Sequence, residues 1–150
     1  MRQISSSSSD ATEKVAERLG RRLRGGEVIE LLSDLGGGKT TFVRGLARGA
    51  GSTSHVASPT FKISSEYKTP KFNIFHFDFY RLTEAGIVAN EIKEVVDDPH
   101  GVVVVEWGEI VKNALPPKRL KVKIKNVDEN ERQLMFTCPN NLEYLLEDLK

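Results

Sequence analysis

Apolar positions recur along the chain with two different periods. Val15, Ala16, Leu19 and Leu23 fall on one helical face. Ahead of them, Asp10-Ala-Thr-Glu13 has the form of a capping box. In such a box the first acid accepts a backbone N–H and the second reaches back. Arg21, Arg22 and Arg24 sit in the last turn, and Gly25-Gly26 stops the helix. Val28-Ile-Glu-Leu-Leu32 is a short apolar run that predicts a buried strand. A Gly-rich turn follows, then Lys39 to Arg48 reads as a helix with Phe42, Val43, Leu46 and Ala47 inward. Gly49 and Gly51 end it. The order is strand, glycine loop, helix.

The middle of the chain changes to a period of two. Phe61 to Tyr67 alternates, and Phe72 to Tyr80 alternates more strongly. His76, Asp78 and Tyr80 share one face of the second run; Phe75, Phe77 and Phe79 share the other. Lys68-Thr-Pro-Lys71 between the runs predicts an antiparallel hairpin. Thr83 to Val96 reads as a helix. Val102 to Val105 is a continuous β-branched run, expected of a strand buried on both faces. A short helix is predicted over Glu109 to Ala114, ending at Pro116-Pro117. Leu120, Val122 and Ile124 alternate with Lys121, Lys123 and Lys125, and Leu134 and Phe136 follow a turn, which gives a second hairpin. Asn141 to Lys150 closes as an amphipathic helix. Helices interspersed with strands predict an α/β fold, and the hairpins make its sheet mixed and partly antiparallel.

Composition narrows the picture. The 150 residues are 39% hydrophobic and 29% charged, with net charge +1 and pI about 7.8. That length predicts one domain, over 10–150, on a prior of roughly 150 residues per domain. The near-neutral charge gives no global field toward nucleic acid or anionic lipid. Cys138 is the single cysteine, which excludes an internal disulfide. The first nine residues, with a serine run from Ser5 to Ser9, read as a flexible leader rather than a signal peptide. No apolar stretch approaches the roughly 18 residues of a membrane span. A cytoplasmic protein is expected.

The chemistry concentrates at Leu35-Gly36-Gly37-Gly38-Lys39-Thr40-Thr41. Three glycines let backbone N–H groups turn toward phosphate oxygens without a Cβ in the way. Lys39 supplies positive charge to the β/γ oxygens, Thr40 offers a hydroxyl to Mg²⁺, and the helix beginning here points its positive end at the same anion. A strand before and a helix after are the context that a phosphate loop requires. Ser33 stands at the first position of the G-x-x-x-x-G-K-[ST] pattern. The fold class is therefore read as P-loop NTPase-like, with three layers.

Two acids are candidates to complete this site. Val102 to Val105 runs into Glu106, a carboxylate at a strand's end, where a phosphate loop needs a metal contact or a water-orienting group. Trp107 follows it, either as packing or as a wall of the nucleotide pocket. Asp78, with His76 and Tyr80 on its face, reads either as a structural acceptor or as a group that orients water near the γ-phosphate. Ser58-Pro-Thr60-Phe61 sits where a phosphate-sensing threonine would stand.

Taken together, Leu35 to Gly45, Ser58-Pro-Thr-Phe61, His76-Phe-Asp-Phe-Tyr-Arg-Leu82 and Glu106-Trp107-Gly-Glu109 resemble the bacterial tRNA threonylcarbamoyladenosine biosynthesis ATPase family (TsaE/YjeE). The family's usual loop reads G-D-L-G-A-G-K-T; here Ser33 and Gly37 replace its first Gly and its Ala. The resemblance implies a small ATPase using ATP and Mg²⁺, with the threonylcarbamoyl transferase and that enzyme's inactive paralogue as partners. Hydrolysis would support modification of position 37 in ANN-decoding tRNAs. It also implies site roles. Gly36, Gly37 and Gly38 would cradle phosphate and Lys39 would grip the β/γ oxygens. Thr40 and Glu106 would serve the metal, and Thr41 the α-phosphate side. Thr60 would be switch-like, and Asp78 with Glu106 would form the acidic pair. Trp107 would lie beside the nucleotide, with Thr12 and Arg132 near the base.

Two other functions remain open on the residues alone: a small-molecule kinase and a nucleotide-sensing module without turnover. The first would need an arginine-bearing lid, for which the chain is short; the second has less use for two acids. Lys118, Arg119, Lys121, Lys123 and Lys125 form a basic run without an acid. It reads as the solvated face of an edge strand, because lysines discourage edge pairing. The alternative is contact with an RNA backbone.

Overall fold

The computed structural model describes residues 1–33, 38–57 and 63–149. Its frame is a mixed sheet of seven strands: β1 (Arg2–Ser6), β2 (Val28–Leu32), β3 (Ser64–Lys68), β4 (Asn73–Asp78), β5 (Gly101–Glu106), β6 (Leu120–Asn126) and β7 (Arg132–Thr137). The order across the sheet is β1-β7-β6-β2-β5-β4-β3. The four inner strands β4, β5, β2 and β6 run parallel to one another. β3 is antiparallel to β4, and β7 to β6. Helices α1 (Ser9–Arg22) and α2 (Lys39–Gly49) cover one face, where Leu19, Phe42 and Leu46 pack on Ile29, Val104, Val122 and Phe136. Helix α3 (Val88–Val96) covers part of the other, with Ile92 against Phe77, Val103 and Val105. β5 is buried along its whole length, as its β-branched run predicts. The three-layer α/β arrangement agrees with the sequence.

Several expectations are corrected. The first nine residues are not a flexible leader: β1 pairs antiparallel with β7 from Arg2↔Phe136 to Ser6↔Arg132. Ile4 is buried, and the hidden Ser6 hydroxyl bonds Thr12 Oγ1 at 2.6 Å. The cap of α1 is Ser8, whose side chain accepts from the Ala11 N–H at 3.0 Å. Asp10 lies inside the first turn and pairs with Lys14 at 3.1 Å. α3 begins at Val88 because Gly86, at φ +51°, interrupts any earlier helical run. The segments after β5 and β7 are 3-10 turns, Gly108–Val111 and Asn140–Leu146, instead of α-helices. β6 is not an edge strand, since β2 and β7 flank it.

The two helices on the covered face touch backbone to backbone. A Cβ on Gly45 would lie 2.1 Å from the Glu13 carbonyl oxygen, and one on Gly20 would lie 2.2 Å from that of Leu46. Gly45→Ala therefore forces α1 and α2 apart, with an expected cost of about 1–3 kcal/mol. Thermal unfolding checks this: the midpoint falls, whereas an unchanged midpoint would mean that the helices separate freely. Among the described residues, no helix is long and apolar enough to cross a membrane.

Candidate functional site

The parallel strands β2, β4 and β5 all end at one edge of the sheet, and α2 begins there. Gly38 precedes α2 at φ +96°, a left-handed conformation natural to glycine, and no side chain caps the helix. The N–H groups of the first turn therefore face the sheet edge with their dipole. Lys39 is buried at 7% exposure. Its ammonium lies 5.0 Å from the Trp107 ring centroid and donates to the Ser33 carbonyl at 3.3 Å. Thr40 and Thr41 follow in the same turn, both half-buried.

Across from this turn, Asp78 and Glu106 are register partners at the ends of β4 and β5. Two carboxylates are thereby held side by side near one lysine. Glu106 is only 2% exposed. His76, fully buried, approaches Glu106 Oε2 through Nε2 at 2.5 Å. On its other side, His76 Nδ1 lies 3.0 Å from the Tyr67 hydroxyl, which is also 3.3 Å from the Ala57 carbonyl. Burial pushes the Tyr67 phenol up, so it remains a protonated donor. The Tyr67 hydroxyl donates to the Ala57 carbonyl and shares a hydrogen bond with Nδ1, so it ties the imidazole to the backbone while Nε2 faces Glu106. One carboxylate oxygen is thus committed to His76, and a ligand at this edge would meet the other.

Asp78 has a different setting. It is half-buried and accepts from the Tyr80 backbone N–H at 3.0 Å. Burial holds its carboxyl above the usual range. The Tyr80 N–H opposes that shift, Glu106 adds to it, and His76 and Lys39 also oppose it. His76 and Asp78 share a face of β4, Tyr80 lies in the turn past its end, and the three side chains form no hydrogen-bonded trio. The Tyr80 ring packs on Trp107 instead, with centroids 5.0 Å apart. Trp107 is the sole non-glycine residue at positive φ among the described residues (φ 57°). This turn brings its indole back over Lys39, and a bulky residue held there is a strained feature of the kind that clusters at functional sites.

A cleft of about 160 Å³ opens beside α2, lined by Ser9, Thr12, Gly38, Thr41, Glu129, Asn130 and Arg132. It brings Thr12 and Arg132 to the start of α2. Arg132 donates to the Asp128 carbonyl at 2.9 Å, and so braces the β6–β7 turn that walls the cleft. Gly36, Gly37 and Thr60 lie outside the described residues. Arg48 faces away and pairs with Glu13 at 2.9 Å.

Comparisons with known proteins place the chain among its relatives. A family model described as "Threonylcarbamoyl adenosine biosynthesis protein TsaE" matches residues 6–134. The chain belongs to the TsaE family. A Bacillus subtilis protein named as tRNA threonylcarbamoyladenosine biosynthesis protein TsaE is 36% identical over 145 residues, covering 93% of this chain and 88% of its own. Its Rickettsia prowazekii namesake is 35% identical over 127 residues, covering 83% and 87%. Among solved structures, that of Bacillus subtilis YdiB superposes with TM-score 0.81 at 32% identity, covering 99% of this chain and 93% of the other.

For this TsaE family member, sequence reasoning missed the Tyr67–His76–Glu106 chain. The signal was a buried-period histidine on β4, but its partner depends on the β4/β5 register. Arg119 was also misread as part of the basic run. It donates to Glu30 at 3.0 Å and to the Pro116 carbonyl at 2.9 Å, a mostly buried structural pair. Among the described residues, no group of three or more His, Cys, Asp or Glu side chains converges to hold a metal. Two carboxylates and a threonine hydroxyl fit a hard cation that arrives with phosphate oxygens and keeps several waters.

Proposed function

We propose that this chain is an ATPase that binds Mg-ATP at the start of α2 and hydrolyses it in support of tRNA threonylcarbamoyladenosine formation. The observation that carries the reading is the convergence of Lys39, the paired Asp78 and Glu106, and the back-turned Trp107 at one sheet edge. The names of the relatives supply the pathway. Lys39 grips the β/γ-phosphates, Gly36, Gly37 and Gly38 cradle phosphate, Thr41 serves the α-phosphate side, and Thr60 is the switch-like threonine. Thr40 and Glu106 would hold Mg²⁺, which when bound would supply positive charge to the phosphates. His76 fixes the orientation of Glu106. Asp78 orients the attacking water. Trp107 walls the pocket, with Thr12 and Arg132 toward the base. The partners are the threonylcarbamoyl transferase and its inactive paralogue. No arginine among the residues placed at the site serves as a finger, so hydrolysis by the chain alone is slow and the partners accelerate it.

The test is phosphate release from Mg-ATP by the full chain, alone and with the transferase pair. Stimulation by the pair supports the reading; ATP binding with no release under either condition overturns it. Asp78→Asn keeps nucleotide affinity within about twofold and lowers release by about 10²-fold or more, as for loss of a group acting on the nucleophile. Release at the wild-type rate would return Asp78 to a structural acceptor.

A further inference from the structure

Three lysines stand in line on the sheet face that carries no helix beyond β2. Along β6, Leu120, Val122 and Ile124 point into the α1/α2 core, and Lys121, Lys123 and Lys125 are exposed on the opposite face. That face is covered over β4, β5 and Val28 by the cluster around Ile92, but the cluster does not extend over β6, β7 or β1. The register spells out what surrounds the lysines. Lys121 lies beside Glu30 and Thr137, Lys123 beside Leu32 and Met135, and Lys125 beside Gln133. Gln3 and Ser5 of β1 extend the same rows. Glu30 is the one acid in this grid, and Arg119 already pairs with it. Among the described residues, no ion pair reaches Lys121, Lys123 or Lys125.

Edge protection does not account for these charges, because the strand is interior. Two residues of strand separate each ammonium-bearing residue from the next by about 6.7 Å. Their repulsion is relieved by mobile counterions, which a polyanion would release on binding. The row has a direction. It runs parallel to β2, passes the last residue of β2 at Lys123, and ends at Lys125, on the side of the sheet where α2 begins.

We propose that this face docks the sugar-phosphate backbone of RNA, with Lys121, Lys123 and Lys125 each neutralising a phosphate. The flanking Gln3, Ser5, Gln133 and Thr137 are neutral hydrogen-bonding groups suited to phosphate and 2′-hydroxyl oxygens. The grid holds no aromatic ring for base stacking, so recognition is of backbone and not of sequence. It also lacks the apolar centre of a lasting protein interface, with only Leu32 and Met135 to offer. That the RNA is the tRNA of the modification pathway rests on the proposed function; the surface itself does not.

The experiment measures binding of a fluorescent unmodified tRNA transcript by the full chain, by anisotropy, at 50 and 200 mM salt. The variants are Lys121→Gln/Lys123→Gln/Lys125→Gln and the matching triple arginine substitution. Phosphate release from Mg-ATP is read on the same samples. Wild type and the arginine variant bind and weaken with salt. The glutamine variant binds at least tenfold more weakly at low salt, with a log–log salt slope shallower by about 2–3, and its basal phosphate release is unchanged. Equal binding by wild type and the glutamine variant overturns the proposal, as does absence of binding at low salt. Loss of stimulation by the transferase pair with tRNA binding intact also overturns it, and assigns the lysines to an acidic protein. RNA binding that depends on the lysines in a chain that never hydrolyses ATP supports the surface and defeats the ATPase reading.

Discussion

Lys39→Ala lowers nucleotide affinity by about 1.5–3 kcal/mol, a factor of roughly 10 to 150, and abolishes phosphate release. Lys39 is buried and its ammonium sits against the Trp107 face and the Ser33 carbonyl. A triphosphate at this turn would give charge-assisted bonds to the buried ammonium. Removing it costs both charge-assisted bonds to phosphate and the field that would draw electron density from the bridging oxygen. The measurement is calorimetric titration with a non-hydrolysable ATP analogue, alongside phosphate release. Trp107 is the chain's single tryptophan, so its fluorescence reports the same event. Unchanged affinity would remove the phosphate-binding assignment of α2.

His76→Ala has the largest expected effect on stability. The imidazole fills a site with no solvent access between Tyr67 and Glu106. Its removal leaves a buried carboxylate and a buried hydroxyl without their common partner. Breaking one side of a buried pair costs about 3–5 kcal/mol, or about 6–20 °C in unfolding midpoint at this chain length. His76→Gln, whose amide can still donate toward Glu106, recovers part of that loss. Turnover separates positioning from mere stability. Below the midpoint of the alanine variant, phosphate release falls while nucleotide affinity holds, because Glu106 is no longer fixed. A variant with native midpoint and native turnover would reduce the Tyr67–His76–Glu106 chain to incidental packing.

What could be read in the sequence depended on how local each cause was. The passage from β2 to α2 was legible because strand and helix periods meet around a glycine run. The burial of β5 followed from four consecutive valines, and Glu106 was marked by standing at their end. Period two placed Asp78 on a strand face with His76, and the β4/β5 register set it beside Glu106. β1 was not legible: only Ile4 and the unexpectedly buried Ser6 face inward, and its stability comes from hydrogen bonds to β7, far away in sequence. The partner of His76 was equally remote, since nothing near residue 76 announces Glu106. Nothing local marks Gly20 and Gly45, yet they let the two helices touch. The lysines of β6 were seen at once, but whether β6 lay inside or at the rim was decided by β7.

The pairing of β1 with β7 bears on the order of events during synthesis. Ile4 sits opposite Leu134, and the Arg2 guanidinium donates to the carbonyls of Leu146 and Leu149 at 2.5 and 2.6 Å. Of the seven strands, β1 is made first and is among the last to find its place. At about 5–20 residues per second, it waits on the order of ten seconds for its partner. During that interval β7 has not yet been made, and the serine-rich composition of β1 gives it little tendency to seize another strand. A polar, weakly apolar first strand is thus a safeguard on the nascent chain: it stays inert until the sheet that needs it is complete.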